Sequence, residues 1–248
     1  MASQELQHRF HHDGFVVVRE FLPSHELASL QTELDRYIRE IVPSLPQGDA
    51  FFVDRARPET LKQLQHMDVD PFFRDYARNS RWCELAQRLL GEPASCDAPE
   101  WFDKPPGTQH ETPPHQDNFY FCLRPPQVIT MWLALDPVDE ENGGLCYLPG
   151  SHRRGIRPHA ASAMIGFSQA IVDYDEQDRA AEVRVKLSPG DLVVHHGETI
   201  HRADPNRSAT RHRRALAMVF RGASAQRDEQ AYARYLQALD QQHEQLLN

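Results

Sequence analysis

The sequence has no long uninterrupted apolar run, and none of its apolar segments approaches the roughly 20 residues that cross a bilayer. We therefore expect no membrane-spanning helix. The N-terminus also lacks a basic segment followed by an apolar one, so we expect no secretory signal and a cytoplasmic protein. Only four cysteines occur among 248 residues, and none forms a C-x-x-C pair, which leaves the zinc-finger and thioredoxin-like classes without support.

A basic excess is missing as well. Lysine and arginine total 27 against 36 aspartate and glutamate residues, which gives a formal net charge of −9 at pH 7. Nucleic acids and anionic membranes repel an acidic surface, so neither is expected as a partner. The length suits one larger domain with a sizeable core, and we expect a single domain over residues 1–248.

Helices are expected at both ends of the chain. Apolar residues repeat at helical spacing after Ser24, a candidate N-cap. A second helix is expected over 80–90, with Gly91 as its stop. These helices belong to a helical N-terminal part over about 24–91, and a C-terminal helix is expected over about 226–247.

The middle of the chain is rich in strand-like segments separated by Pro, Gly and Asn turns. Eight such segments are expected, at 14–18, 99–103, 118–122, 128–135, 144–148, 182–187, 191–196 and 213–220. Eight strands suit a double-sheet jelly roll, so we predict a mainly β fold with a cupin-like double-stranded β-helix core over about 99–221. The stretch 160–181 shows no clear periodicity and is expected to form a long loop.

A His-x-Asp pattern, which on a strand places two metal-binding side chains on one face, occurs at 11–13, 66–68 and 115–117. The first two copies lie in polar segments, which are typical of solvated surface. The third follows an apolar segment and a Pro/Gly turn, and it precedes the aromatic run FYF. We therefore predict that His115 and Asp117 are the pair that binds a metal.

A third ligand has to come from another strand end. The segment DLVVHHGETIH, over 191–201, offers His195, His196 and His201. Two imidazoles and one carboxylate on one face of a metal suit non-haem Fe(II) that binds both a co-substrate and O₂. Arg213 adds a fixed positive charge where a dicarboxylate co-substrate could be held.

Taken in order along the chain, the motifs resemble those of the phytanoyl-CoA dioxygenase family of Fe(II)/2-oxoglutarate oxygenases. The shared segments are DGFVVVREFL, KPPG, PPHQDNFYF, the strand that holds Trp132, DEENGGLCYLPGSHRRG, RPH, PGDLVVHHGETIH and PNRSATRHRRAL. Together they span nearly the whole chain. The resemblance implies Fe(II) as the metal, 2-oxoglutarate as a co-substrate and O₂ as the oxidant.

The same resemblance assigns the histidine ligand and the co-substrate arginine. It selects His201 as the third ligand of the iron, with His196 as a neighbour of the site. It favours Arg213 over the adjacent Arg214 as the partner of the distal carboxylate of 2-oxoglutarate. An arginine suits this role because a guanidinium binds a carboxylate through two parallel hydrogen bonds. The family often has a hydroxyl residue two positions after the distal histidine, where this chain has Ala203.

Three further residues are predicted to bind the co-substrate. Lys104 of the KPPG segment matches a family position near the pocket. Trp132 and Thr130 share one face of their strand, so Trp132 is expected to form a wall of the 2-oxoglutarate pocket and Thr130 to donate a hydroxyl hydrogen bond.

The resemblance implies an oxygenase that hydroxylates a small molecule and releases succinate and CO₂. In related halogenating enzymes a small residue replaces the carboxylate ligand, so Asp117 favours hydroxylation over halogenation. Two alternatives remain: a cupin-like metalloenzyme that is not an oxygenase, and a jelly-roll binding protein without turnover. The sequence specifies neither the substrate nor the oligomeric state.

Overall fold

The computed structural model describes residues 3–46, 48–164 and 167–247 of the chain. The strands of the described residues are β1 (Phe15–Val18), β2 (Ala50–Phe52), β3 (Leu61–Leu64), β4 (Ala94–Lys104), β5 (Thr112–His115), β6 (Leu123–Arg124), β7 (Val128–Ala134), β8 (Leu145–Tyr147), β9 (His159–Met164), β10 (Phe167–Ile171), β11 (Val183–Val185), β12 (Leu192–His196), β13 (His201–Ala203), β14 (Arg213–Gly222) and β15 (Gln226–Arg227). The helices are α1 (Ser3–Asp13), α2 (Ser24–Glu40), α3 (Pro71–Tyr76), α4 (Ser80–Leu90), α5 (Asp117–Phe121), α6 (Glu176–Ala180) and α7 (Glu229–Leu247).

Two antiparallel sheets face each other and form the core. The larger sheet has seven strands in the order β1-β12-β7-β14-β4-β3-β2, and the smaller has four in the order β11-β8-β13-β5. Closure of two sheets around a shared interior is the jelly-roll arrangement, so the predicted fold class is confirmed. Two short pairs, β9 with β10 and β6 with β15, stand beside these sheets.

Strand β7 shows how the larger sheet separates two apolar layers. Alternate side chains of a strand point to opposite faces. Trp132 and Ala134 pack in the cluster between the two sheets, whereas Met131 and Leu133 pack in a cluster on the other face. The same alternation continues in the neighbouring strands β12 and β14. The space between the sheets is therefore lined by every second residue of each central strand.

The N-terminal helices cover the outer face of the larger sheet. Leu27, Leu30, Leu34 and Tyr37 recur three or four residues apart in α2 and are all buried in that cluster. The predicted helix over 80–90 is α4, and Gly91 ends it in the left-handed conformation, with φ of 77°. Ser24 is the first helical residue rather than the N-cap, because Pro23 occupies the cap position.

The predicted strand over 118–122 is wrong, since these residues form most of the short helix α5 and its end. Its aromatic run favours a strand, but the side chain of Asn118 bonds both the backbone N–H and the C=O of Leu123, which closes a turn. The strand of this region lies earlier, in β5. The sequence TPPH does not predict a strand, because proline is excluded from central strands. Strand β5 lies at the edge of its sheet, where proline is tolerated.

The predicted long loop over 160–181 is also wrong. It contains most of β9, all of β10 and the helix α6. Helix α6 begins with a capping box in which the side chains of Asp175 and Asp178 each accept from backbone N–H groups. At the C-terminus, the predicted helix begins only at Glu229, because residues 226–227 pair with β6 as β15. Among the described helices, none combines the length and the apolar character needed to span a membrane.

Truncation of Leu133 tests the layer between sheet and helices. Leu133 is fully buried in β7, so Leu133→Ala should lower the free energy of unfolding by about 2–5 kcal/mol through lost burial and the cavity left behind. Val53→Ala, at a side chain that is 70% exposed, should change it by less than about 0.5 kcal/mol. Denaturant titration measures both values. Similar effects of the two substitutions would contradict the placement of Leu133 in the core.

Candidate metal centre

Three side chains from two adjacent strands and the helix that follows one of them meet between the sheets. His115 ends β5, Asp117 begins α5 and His201 begins β13, and His115 and His201 are direct partners in the ladder of the small sheet. One ligand atom of each lies within 4.8 Å of the others. The Nε2 atoms of His115 and His201 are each 3.5 Å from Asp117 Oδ1. This is a donor set of two imidazoles and one carboxylate.

Backbone carbonyls fix both imidazole rings. His115 Nδ1 lies 2.8 Å from the Pro113 carbonyl oxygen, and His201 Nδ1 lies 3.0 Å from that of Thr199. A ring nitrogen can bond a carbonyl oxygen only when it carries a hydrogen. Nδ1 is therefore protonated in both rings, and Nε2 presents its lone pair to the site. Burial lowers the pKa of both histidines. Both rings are therefore held in the neutral form that binds metals.

The carboxylate of Asp117 divides its two oxygens between different partners. Oδ2 accepts hydrogen bonds from Thr130 Oγ1 at 2.6 Å and from His195 Nε2 at 3.0 Å. Tyr147 lies behind His195, with its hydroxyl 3.2 Å from His195 Nδ1. Burial alone would raise the pKa of Asp117, but the nearby His201 and the hydrogen bond from His195 lower it overall. Oδ1 is thus left as the charged oxygen that faces the two imidazoles.

His195, rather than His196, is the histidine next to the three candidate ligands. The alternation of β12 sends His195 to the face shared with Thr130 of the neighbouring strand, where the two residues are register partners. His196 points to the opposite face, and its ring centre lies 5.4 Å from that of His152. The expectation that His196 neighbours the site was wrong by one residue. The strand period places His195 and His196 on opposite faces, but it does not by itself show which of them faces the interior.

Arg213 and Arg214 differ sharply in their surroundings. Arg213 points between the sheets, with its guanidinium carbon 5.3 Å from the ring centre of Trp132. Its Nε is buried without a hydrogen-bond partner among the described residues. Arg214 instead forms two side-chain hydrogen bonds to Asp136, of 2.8 and 2.9 Å. Burial lowers the pKa of Arg213 to about 10, so it stays cationic at neutral pH.

The structure gives Thr130 and Lys104 partners within the protein. The single hydroxyl proton of Thr130 goes to Asp117, so the prediction that Thr130 donates to 2-oxoglutarate is revised. Lys104 is buried, and its Nζ donates to the carbonyl oxygen of Asp204 at 2.8 Å. Lys104 is the ladder partner of Arg213, so the two side chains lie at the same end of the interior. Ala203 packs in the apolar cluster between the sheets and supplies no hydrogen bond from its side chain.

Gln116 was not among the predicted site residues, although it stands between two of them. Its side chain is fully buried and points away from the metal-binding groups, toward loops on the other side of β5. Nε2 donates to the carbonyls of Gly155 and Glu198, while Oε1 accepts from the Arg157 N–H. These bonds tie the segment between the candidate ligands to the loop that leads into β13. The alternation of side chains along an extended segment accounts for the direction of Gln116, opposite to that of His115 and Asp117.

Comparison with known proteins identifies the family. The sequence profile of the phytanoyl-CoA dioxygenase family, PhyH, matches residues 10–215. The chain belongs to this family. A phytanoyl-CoA dioxygenase of Arabidopsis thaliana is 25% identical over 246 aligned positions, which cover 85% of this chain and 86% of that protein. The human peroxisomal phytanoyl-CoA dioxygenase is 26% identical, with 88% and 68% covered.

Solved structures agree with the family assignment. EvdO2 from Micromonospora carbonacea var. aurantiaca superposes with a TM-score of 0.71 at 25% identity, over 90% of this chain and 91% of that one. EvdO2 has also been solved in complex with 2-oxoglutarate. The predictions of family, jelly-roll fold and an iron- and 2-oxoglutarate-dependent dioxygenase are therefore confirmed. The predicted cytoplasmic location stays a prediction.

Removal of the Thr130 hydroxyl tests the support of Asp117. Thr130→Val keeps the shape of the side chain but leaves Asp117 Oδ2 with one hydrogen bond fewer, so Fe(II) affinity should fall about 10- to 100-fold. Thr130→Ser retains the hydroxyl and should stay close to the wild type. Anaerobic titration with Fe(II) measures the affinity. Unchanged affinity of Thr130→Val would show that the hydroxyl does not organise the carboxylate.

Proposed function

We propose that this protein is an Fe(II)- and 2-oxoglutarate-dependent oxygenase that hydroxylates a small-molecule substrate. The observation that carries the proposal is the convergence of His115, Asp117 and His201 at one end of the interior, with Arg213 facing the same interior. Three protein ligands on one side of an iron leave positions for the co-substrate and for O₂. Membership of the family supports the same reaction class.

The residues fit both the metal and the co-substrate. We infer that the iron is held by His115 Nε2, His201 Nε2 and Asp117 Oδ1, because these three atoms face one another. The remaining polar atom of each side chain already has a hydrogen-bond partner in the protein. Arg213 lacks a carboxylate partner among the described residues, and its Nε is an orphaned donor. The distal carboxylate of 2-oxoglutarate would satisfy that donor and neutralise a buried charge.

Each neighbouring group then has a distinct task. Thr130 and His195 hold Asp117 Oδ2, which directs Oδ1 at the metal. The ring of Trp132 lies against the Arg213 guanidinium and limits where the co-substrate can lie. The apolar cluster between the sheets excludes water from this end of the interior. Bound iron supplies the activation of O₂, coupled to the oxidative decarboxylation of 2-oxoglutarate to succinate and CO₂.

Three features favour hydroxylation over halogenation, over a reaction that is not an oxygenation, and over binding without turnover. Asp117 already fills the position that a halide would need. A cupin-like enzyme that is not an oxygenase needs no arginine for 2-oxoglutarate, so the buried Arg213, which has an unpaired Nε, is evidence against that class of enzyme. The intact set of candidate ligands likewise speaks against a binding protein without turnover.

Substitution of the candidate ligands tests the proposal. The wild-type protein with Fe(II), O₂ and 2-oxoglutarate should consume 2-oxoglutarate and release succinate. His115→Ala, Asp117→Ala and His201→Ala should each abolish this consumption and weaken Fe(II) binding, because each removes a ligand. His66→Ala is the matched control, since His66 is exposed, pairs with Asp49 and belongs to another His-x-Asp copy. No consumption by the wild type, or equal loss of iron in His66→Ala, would overturn the proposal.

The arginine pair tests the position of the co-substrate. Arg213→Ala should weaken 2-oxoglutarate binding by about 2–5 kcal/mol, because a charge-assisted contact is lost and a carboxylate is left unpaired in the interior. Arg214→Ala should have little effect on this affinity, since Arg214 is bound to Asp136. Calorimetric titration of the Mn(II)-loaded protein with 2-oxoglutarate measures both. Equal, small losses would mean that neither arginine binds the co-substrate.

A further inference from the structure

Glu100 is a carboxylate inside the barrel that the proposed reaction does not use. It lies on β4, two residues before Phe102, which packs in the cluster between the sheets, so the two side chains share the inner face. Its ladder partner is Ala217, and the next residue across the sheet is Trp132, the residue that lies against Arg213. Glu100 is therefore directed into the interior that would hold the co-substrate.

This carboxylate has no cationic partner among the residues that the structure describes. Two other partly buried acids of the chain have cationic partners: Glu182 pairs with Arg202 at 2.5 Å, and Asp136 pairs with Arg214 at 2.8 Å. Among the described residues, the groups that lower the pKa of Glu100 are the imidazole of His66, which is exposed and pairs with Asp49, and the neutral side chain of Gln63. A partly buried carboxylate without a counter-charge is costly, and a ligand that supplies the opposite charge would offset that cost.

The electrostatics agree with this placement. Burial, together with the negative charge of Asp117, raises the pKa of Glu100 to about 7. This shift agrees with the strand register, which places Glu100 on the inner face, separated from Trp132 by one strand. Perturbed acids of this kind concentrate at functional sites.

The charges of the loaded centre leave Glu100 without compensation. In the proposed function, the charges of iron and Arg213 balance those of Asp117 and of the two carboxylates of 2-oxoglutarate. Lys104, another basic side chain at this end of the interior, donates to the carbonyl oxygen of Asp204, and burial lowers its pKa. The carboxylate of Glu100 therefore faces an interior with no net positive charge left for it. The remaining molecule that enters this interior is the substrate.

We propose that Glu100 is a specificity-determining residue that binds a cationic group, an ammonium or a guanidinium, of the substrate. This inference rests on the proposed function and adds the class of substrate. A charge-assisted hydrogen bond to the carboxylate would orient such a substrate beside the iron. An uncharged or anionic analogue would leave the buried carboxylate unpaired or repelled, which is how a site rejects the wrong ligand.

A matched panel of ligands tests this assignment. The probes are small primary ammonium compounds, each with a neutral and an anionic counterpart of the same length, such as hexylammonium, 1-hexanol and hexanoate. They are titrated calorimetrically into the protein loaded with Mn(II) and 2-oxoglutarate, so the readout is affinity and not turnover. The wild type should bind the best cation at least tenfold more tightly than its neutral counterpart. Glu100→Gln should remove that preference, and Glu100→Lys should transfer it to the anion.

Glu198→Gln is the control. It removes the same charge from another partly buried carboxylate, but one that already accepts a hydrogen bond from Asn118 at 3.3 Å, and it should keep the preference for the cation. No preference in the wild type, no binding of any cation, or an undiminished preference in Glu100→Gln would overturn the assignment. The affinity for 2-oxoglutarate, measured in the same samples, separates the two proposals. If the wild type does not bind 2-oxoglutarate, the proposed function is wrong. If the wild type binds 2-oxoglutarate but shows no preference for the cationic probe, only the role assigned to Glu100 is wrong.

Discussion

The candidate site depends on the division of one carboxylate between two environments. Asp117 is buried, and a buried charge is tolerated only where its lone pairs have partners. Thr130 and His195 satisfy Oδ2, while the two candidate histidine ligands face Oδ1 at 3.5 Å. Without these donors the carboxylate could rotate or take up a proton, and the three ligand atoms would no longer converge. The central strands β7 and β12 serve to present those two donors side by side.

The other polar groups of the interior are subject to the same requirement for partners. The sheets supply an apolar enclosure, and the polar groups inside it fall into two kinds. Tyr147 and His195 form a hydrogen-bonded chain that ends on Asp117, and Thr130 donates separately to the same carboxylate oxygen. Arg213 and Glu100, in contrast, lack partners of opposite charge in the described part of the protein. Groups of the first kind build the site, and groups of the second kind indicate what enters it.

The sequence was most informative where a motif and a strand period agreed. His115 and Asp117 could be chosen among three His-x-Asp copies from their context, and the alternation of β7 predicted that Thr130 and Trp132 share a face. In β12 the sequence pointed to His196, whereas His195 faces the interior. The family resemblance added His201 and the preference for Arg213, since spacing alone left three histidines open. These assignments are proposals, and the geometry brings the ligand atoms of His115, Asp117 and His201 within 4.8 Å of one another.

Prediction failed where tertiary contacts override local preference. The aromatic run after Asp117 forms helix α5, because Asn118 bonds the backbone of Leu123. Strand β5 contains two prolines and exists because it lies at a sheet edge. Glu100 was not singled out at all. A glutamate on a strand carries no sign of burial until the neighbouring strands are known.

A crystal structure of the protein with Mn(II) and 2-oxoglutarate, obtained without O₂, tests the central claim most directly. The account predicts a metal bound by His115 Nε2, Asp117 Oδ1 and His201 Nε2. It also predicts the distal carboxylate of 2-oxoglutarate on Arg213, with Asp117 Oδ2 still held by Thr130 and His195. A metal bound through His195 or His196, or a co-substrate paired with Arg214, would contradict it.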